Sequence, residues 1–242
     1  MKPIKFLSTL AISAAMFMGM QSCNSSDDKK GDDKMDSNPA KQDPTANPAA
    51  KPPDALVVMH KVSNFAKWLP VFESDDSAQK ANGLTRTLVA RGIDDSSMVL
   101  IGFTMADYNK AKAMTGSAEL KAKMEKGGVT SAPSFHFENV QMRDTTTNAM
   151  TDRIIIFSKV KDYDAWKKSF DEHSDVRKNG GVTDRVVGYS FDDKNDVTVV
   201  LAINDMKKAR DFIKSPELKA RMDSAGVMGK PDIFFYHVVK QY

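Results

Sequence analysis

Hydrophobic residues at helical spacing mark the most informative stretch of the chain, residues 162–176. Tyr163, Trp166, Phe170 and His173 follow one another there at i, i+3, i+7 and i+10. Residues at this spacing share one face of an α-helix, and an apolar face packs against a core. Asp162 before the stretch and Gly180-Gly181 after it are residues that commonly cap helix ends. We therefore predict one amphipathic helix over 162–176, with a histidine on its buried face.

The same pattern occurs earlier in the chain, over residues 64–78. Its aromatic positions are Phe65, Trp68 and Phe72, and Asp75 takes the place of His173. An offset of 98 residues relates the two stretches, and it holds without a gap from Leu56 to Val140. A constant offset over this length indicates an internal duplication. We predict two units, at 54–142 and 152–242.

Each unit has the element order β-α-β-β-α-β. In the second unit, runs rich in β-branched and aromatic residues predict strands, at Ile154–Val160, Arg185–Phe191, Val197–Ile203 and Ile233–Val239. Ser215-Pro216 marks the restart of the second helical segment, because serine is a common N-cap and proline fits the first helical position. This order is the ferredoxin-like arrangement.

The strands carry apolar residues on both faces, as in the run 197–203. Helices cover only one face of a ferredoxin-like sheet, so the second faces of the two units must be buried against each other. We therefore predict an α+β fold in which two tandem ferredoxin-like units form one barrel within the chain, as a pseudo-dimer that stays a monomer.

The second unit resembles the dimeric α/β-barrel superfamily, which includes antibiotic biosynthesis monooxygenase-like proteins. The residues that carry the resemblance are Asp162–Trp166, His173, Asp192-Asp193, Ser215–Leu218, Ala225–Val227 and Pro231. The resemblance implies the fold. It does not imply one activity, because the superfamily contains cofactor-free monooxygenases, haem-degrading enzymes and members with no known reaction.

The N-terminal segment indicates export. Lys2 and Lys5 precede an apolar run that is shorter than the roughly 20 residues of a membrane-spanning helix, and Cys23 follows Ser22. Residues 1–22 resemble a bacterial lipoprotein signal, in which the cysteine is lipidated; an ordinary secretory signal is the alternative. Residues 23–53 are polar and rich in Ser, Asp, Pro and Ala, which is typical of a disordered tether. We expect a lipid-anchored envelope protein, on the periplasmic face or the outer surface.

Charge and cysteine content narrow the functional classes. The formal net charge of +3 falls to +1 without Lys2 and Lys5, and a nearly neutral body argues against nucleic-acid binding. Cys23 is the only cysteine, so the folded part has no cysteine nucleophile or Cys-based metal site. The sequence predicts no cofactor and no metal ligand set.

The candidate site lies around His173. Arg177 is one turn further along the chain, and Tyr189 is on the next strand. Together they could act as a general base, an anion-binding group and a proton donor beside a cavity; alternatively, His173 sits partly exposed at the helix end, where its cation favours the helix dipole. The first unit has different residues at these positions, namely Asp75, Gln79 and Arg91. We therefore expect the site in the second unit only.

Other residues have two interpretations. Trp68 and Trp166 could line a ligand pocket or serve core packing only. His60, His136 and His237 fall on first and last strands, where we expect ordinary hydrogen bonds rather than metal or haem ligation. The leading functional prediction is binding of a small, mostly apolar ligand. The alternatives are a cofactor-independent monooxygenase-like enzyme and a surface interaction protein without a pocket.

Overall fold

The computed structural model describes residues 51–146 and 149–242. The predicted signal segment and Cys23 lie outside them, as does the predicted tether up to residue 50. Among the described helices, none is long and apolar enough to cross a membrane.

The first unit consists of four strands and two helix pairs in the predicted order. These elements are β1 (Asp54–Lys61), α1 (Phe65–Glu73), α2 (Asp76–Ala81), β2 (Leu84–Gly92), β3 (Met98–Met105), α3 (Tyr108–Thr115), α4 (Ala118–Lys126) and β4 (Ser134–Arg143).

The second unit repeats this order. Its elements are β5 (Asp152–Val160), α5 (Tyr163–Glu172), α6 (Ser174–Asn179), β6 (Val182–Ser190), β7 (Asp196–Ile203), α7 (Met206–Ile213), α8 (Pro216–Ser224) and β8 (Val227–Gln241). The last strand begins six residues before the predicted Ile233, because Val227 and Met228 already pair with β5.

The described strands close into one antiparallel barrel with the order β1-β3-β2-β8-β5-β7-β6-β4. Two seams join the units, where β2 pairs with β8 and β4 pairs with β6. The tandem ferredoxin-like barrel predicted from the sequence is thereby confirmed. Each unit has one apolar core between its helices and its sheet, and a third core fills part of the barrel interior.

The prediction of one helix over 162–176 is wrong, because the segment forms two helices, α5 and α6. Asp162 caps the N-terminus of α5, since its Oδ1 accepts from the Ala165 N–H at 2.8 Å. His173 follows the last residue of α5, and its φ of −110° is not helical. The first unit breaks at the equivalent Asp75. Gly181, at φ +77°, ends the second helix of the pair as predicted, because glycine adopts the left-handed region without a steric cost.

Candidate functional site

Each unit has a cavity between its helices and the outer face of its sheet. The first cavity, in the first unit, measures about 70 Å³, and the second cavity, in the second unit, measures about 110 Å³. Their walls are built from equivalent residues. Trp68 stacks on Phe72 with ring centroids 5.1 Å apart, and Trp166 lies 5.2 Å from Phe170. Both tryptophans line their cavities and also pack in the core, and their contact with a ligand stays a prediction.

His173 faces the second cavity at the junction of α5 and α6. Its Nδ1 lies 2.6 Å from the Ser169 carbonyl oxygen. A carbonyl oxygen only accepts hydrogen bonds, so Nδ1 carries the proton and Nε2 of the neutral ring has a free lone pair. This orientation suits a general base acting through Nε2.

Arg177 also lines the second cavity, but its donors are already engaged. Nε and Nη2 donate to the two carboxylate oxygens of Asp184, each at 2.6 Å, and Nη1 donates to the Phe170 carbonyl at 2.6 Å. Its guanidinium also stacks over the Phe170 ring at 3.5 Å. A bidentate, buried pair of this kind is a structural element. The arrangement opposes the predicted anion-binding role, because the charge of Arg177 is neutralised within the protein.

Tyr189 does not line the second cavity. Its ring packs edge-on against Tyr163, with centroids 4.8 Å apart. The structure therefore brings together His173 and Arg177 of the predicted group and leaves out Tyr189, whose strand position points it at the helix start instead of the cavity.

The first unit places a guanidinium at the equivalent point by a different route. Arg86, on β2, is equivalent to Asp184, and its Nε donates to Gln79 Oε1 at 2.6 Å. Its Nη2 donates to the Phe72 carbonyl at 2.8 Å, and it stacks over the Phe72 ring at 4.5 Å. The first unit therefore also has a guanidinium at this point, although it comes from the facing strand and Gln79 takes the place of Arg177 on the helix.

His60 is the polar residue that sequence reasoning missed. It lines the first cavity, is 3% exposed and packs edge-on against Trp68 at 5.7 Å. Neither ring nitrogen has a hydrogen-bond partner within residues 51–146 and 149–242. Burial lowers the pKa of His60 to about 4, so the imidazole is neutral at pH 7, with one donor and one acceptor. The signal was present, since His60 alternates with buried Val58 and Val62 on one strand face.

A lysine–aspartate pair stands beside the first cavity, and the equivalent residues of the second unit do not form one. Lys123 Nζ bonds to the carboxylate of Asp75, a residue that is 5% exposed. Their equivalents are Arg221 and His173, neither of which is a carboxylic acid, so no such pair forms between them. Arg221 donates instead to Glu217 Oε1 at 2.8 Å. The two cavities therefore differ in their polar groups more than in their apolar walls.

The remaining strand histidines have ordinary surroundings. His136 stacks on Phe157 with ring centroids 4.0 Å apart, and His237 Nδ1 lies 2.6 Å from Asp152 Oδ1. Within the part of the chain that the structure describes, no group of three or more His, Cys, Asp or Glu residues is placed to hold a metal ion. The expectation of an ordinary hydrogen bond holds for His237 and is wrong for His60.

The barrel is shared with solved structures of low sequence identity. A provisionally named monooxygenase from Fusobacterium nucleatum is 15% identical, with a TM-score of 0.52 over 78% of this chain and 93% of that one. An anthrone oxidase-like protein is 13% identical, with a TM-score of 0.54 over 78% and 92% of the two chains.

A second provisionally named monooxygenase, from Lactobacillus acidophilus, is 10% identical, with a TM-score of 0.50 over 77% and 93% of the two chains. The chain has the dimeric α/β-barrel fold. No family model and no curated protein matches the sequence.

Proposed function

We propose that this protein binds a small, mostly apolar ligand in the first cavity, with His60 forming a hydrogen bond to the ligand's one polar group. The observation that carries the proposal is the buried imidazole without a partner in the described residues. A buried polar group left unsatisfied costs about 1–3 kcal/mol, so such groups in native proteins call for an explanation. A ligand that reaches His60 supplies the missing bond.

The size and lining of the first cavity define the ligand class. An engineered apolar cavity of about 150 Å³ in another protein holds benzene. The first cavity is smaller, at about 70 Å³, so one ring is the upper limit, and a ring enters only if the flexible Met114 and Met124 side chains of the lining move aside. Neutral His60 can donate to a carbonyl or accept from a hydroxyl. Small phenols and short-chain alcohols or ketones combine these features.

Isothermal titration calorimetry with phenol and toluene tests this proposal on the full chain. We expect phenol to bind more tightly than toluene, and His60→Leu to remove that preference while toluene binding stays within twofold. His136→Leu, which changes a histidine outside both cavities, is the matched control. Equal affinities of the unsubstituted protein and the His60→Leu variant for phenol would contradict the proposal.

A second candidate function is a cofactor-independent, monooxygenase-like reaction in the second cavity. It is supported by the fixed Nδ1–H of His173, which directs a basic Nε2 outward from the ring, and by the similarity to proteins named as monooxygenase or anthrone oxidase-like. His173 would take a proton from an activated CH₂ group. Reaction of the resulting carbanion with O₂ then gives a carbonyl and water.

Oxygen uptake with 1,3-cyclohexanedione, a one-ring compound with an activated CH₂ group, tests the second candidate. We expect the full chain to consume oxygen and release the corresponding triketone, and His173→Ala to lose at least 100-fold in rate. His60→Leu, on the other cavity, is the control. An unchanged rate in His173→Ala would exclude this role for the histidine.

We also propose that the protein is a monomer anchored to the cell envelope by a lipid on Cys23. The support is the sequence pattern of residues 1–23 and the closure of the barrel within one chain. Metabolic labelling with a fatty acid, followed by membrane fractionation, tests the anchor. Cys23→Ala should abolish the label and release the protein from membranes; a label that persists in this variant would contradict the anchor.

A further inference from the structure

The barrel interior contains a third and larger space, distinct from the cavities under the helices. This barrel cavity measures about 300 Å³ and is lined by residues of both units. Val57, Leu100 and Ile155 line it from the strand faces opposite to those that carry the two helix-side cores. Leu56 and Phe103 border both this cavity and the first. One ordered water needs only about 15 Å³ of such volume, so the barrel cavity can hold a small molecule.

The charged residues of the barrel cavity are not balanced. Arg185 Nη1 donates to Asp144 Oδ2 at 2.6 Å, so these two neutralise each other. Arg143 and Arg153 form no ion pair with any carboxylate in the described residues, and the Nε of each is buried without a hydrogen-bond partner there. Arg153 is 7% exposed. A buried guanidinium without a counter-charge is costly, because desolvation is not repaid.

Glu138 supplies a third polar group in the barrel cavity. It is 4% exposed, and its Oε1 accepts from the Thr198 hydroxyl at 2.8 Å, while Oε2 has no partner among the described residues. Burial is the main reason that the pKa of Glu138 is raised to about 7. Below that pH the carboxyl is neutral and can donate a hydrogen bond from its free oxygen.

We propose that the barrel cavity binds a small oxyanion, a phosphate or a carboxylate, held by Arg153 and Arg143 with Glu138 as a third contact. Arginine is suited to this task because its planar fork matches the oxygens of both groups. The anion supplies the missing counter-charge to two guanidinium groups and a partner to the buried atoms of all three residues. The site shares no lining residue with the second cavity, and its ligand differs in chemistry from that of the first.

Calorimetry on the full chain with sodium phosphate and, separately, sodium succinate tests the site. Chloride keeps the ionic strength constant in each titration. We expect saturable binding of at least one anion, with phosphate-only binding assigning a phosphate site and succinate-only binding a carboxylate site. Arg153→Met should weaken that binding at least tenfold. Arg143→Gln should also weaken it, by a smaller factor. Arg210→Gln, at a half-buried arginine outside the barrel cavity, makes the same change of charge and should leave the anion affinity unaltered.

The pH dependence of the anion affinity tests whether Glu138 contacts the anion or has a purely structural role. The charged or titratable groups around it are Arg143, Asp144, Arg153, Arg185, Tyr236 and Asp196. We expect the affinity of the unsubstituted protein for the anion, divided by that of Glu138→Gln, to fall as pH rises from 6 to 8, because the ionised carboxylate repels the anion. The ratio cancels the change in charge of phosphate itself over this range.

Two results would overturn the proposal. One is no heat beyond the chloride background for either anion. The other is equal affinity in the unsubstituted protein, Arg153→Met and Arg210→Gln, which reports a general ionic effect. If Arg153→Met does not fold, as judged by circular dichroism, Arg143→Gln and Glu138→Gln decide between the same outcomes.

Discussion

The two helix-side cavities are copies of one design that differ in their polar groups. Both have a tryptophan and a phenylalanine wall, and both have a guanidinium against the end of the first helix. Only the first has a buried histidine without a hydrogen-bond partner in the described residues, and only the first has a lysine–aspartate pair beside it. The second has His173 in place of Asp75, and Ser158 in place of His60. What both units keep belongs to the fold, and what differs between them is where function should be sought.

The largest expected effect concerns the buried guanidinium of each unit, which Arg177 supplies from α6 in the second unit and Arg86 supplies from β2 in the first. Arg177→Gln leaves Asp184 without its partner, and we expect the free energy of unfolding to fall by about 3 kcal/mol. Adding Asp184→Arg recreates the Gln79–Arg86 arrangement of the first unit and should restore most of the loss. Urea denaturation of the four members of this cycle measures it. If the double variant is as unstable as the sum of the single ones, the two arrangements are not equivalent.

The next effect is the contribution of His60 to the pH dependence of the free energy of unfolding. Its pKa is lowered to about 4 in the folded protein by burial, whereas an unfolded histidine titrates near 6.5. Between these values the unfolded state binds more protons, so His60 destabilises the fold progressively as pH falls from 6.5 to 4. We expect a loss of about 2–3 kcal/mol relative to the His60→Leu variant.

Denaturation of the unsubstituted protein and His60→Leu across this pH range provides the measurement. His237→Leu, at an exposed histidine outside both cavities, is the control. Parallel pH profiles for the unsubstituted protein and His60→Leu would show that His60 is hydrated or hydrogen-bonded in solution.

A smaller effect on stability distinguishes the Lys123–Asp75 pair beside the first cavity from the Arg221–Glu217 pair beside the second. Lys123→Met leaves Asp75 buried without its cation, so we expect a loss of about 1–2 kcal/mol. The equivalent Arg221→Met breaks only an exposed pair with Glu217, which should cost less than about 0.5 kcal/mol. Thermal denaturation of both variants checks the ranking, and equal losses would contradict the account of these two pairs.

Much of the fold follows from periodicity and the duplication, but two features could not be read from them. The helix break at His173 is invisible in the pattern, because apolar residues keep helical spacing on both sides of it. The arginine exchange is hidden too, since aligning the units compares Arg177 with Gln79 and not with Arg86, which reaches the same point from another strand.

The burial of one polar strand residue, His60, could be predicted from the sequence, whereas the burial of another, Arg153, could not. The alternation of His60 with buried valines places it on a core-facing strand face, so its burial was predictable. Arg153 stands at the start of a strand, where a charged residue commonly faces solvent. Only barrel closure, which depends on pairing between residues far apart in the sequence, encloses it.

The two tryptophans allow the central claim to be measured directly, because each lines one cavity. In Trp166→Phe the emission reports the first cavity, and in Trp68→Phe it reports the second. We expect phenol to change the Trp68 emission saturably, His60→Leu in the same background to abolish that response, and toluene to show no dependence on His60. A phenol response of Trp68 that is linear in concentration, or that survives His60→Leu unchanged, would contradict the assignment of the first cavity as the ligand site.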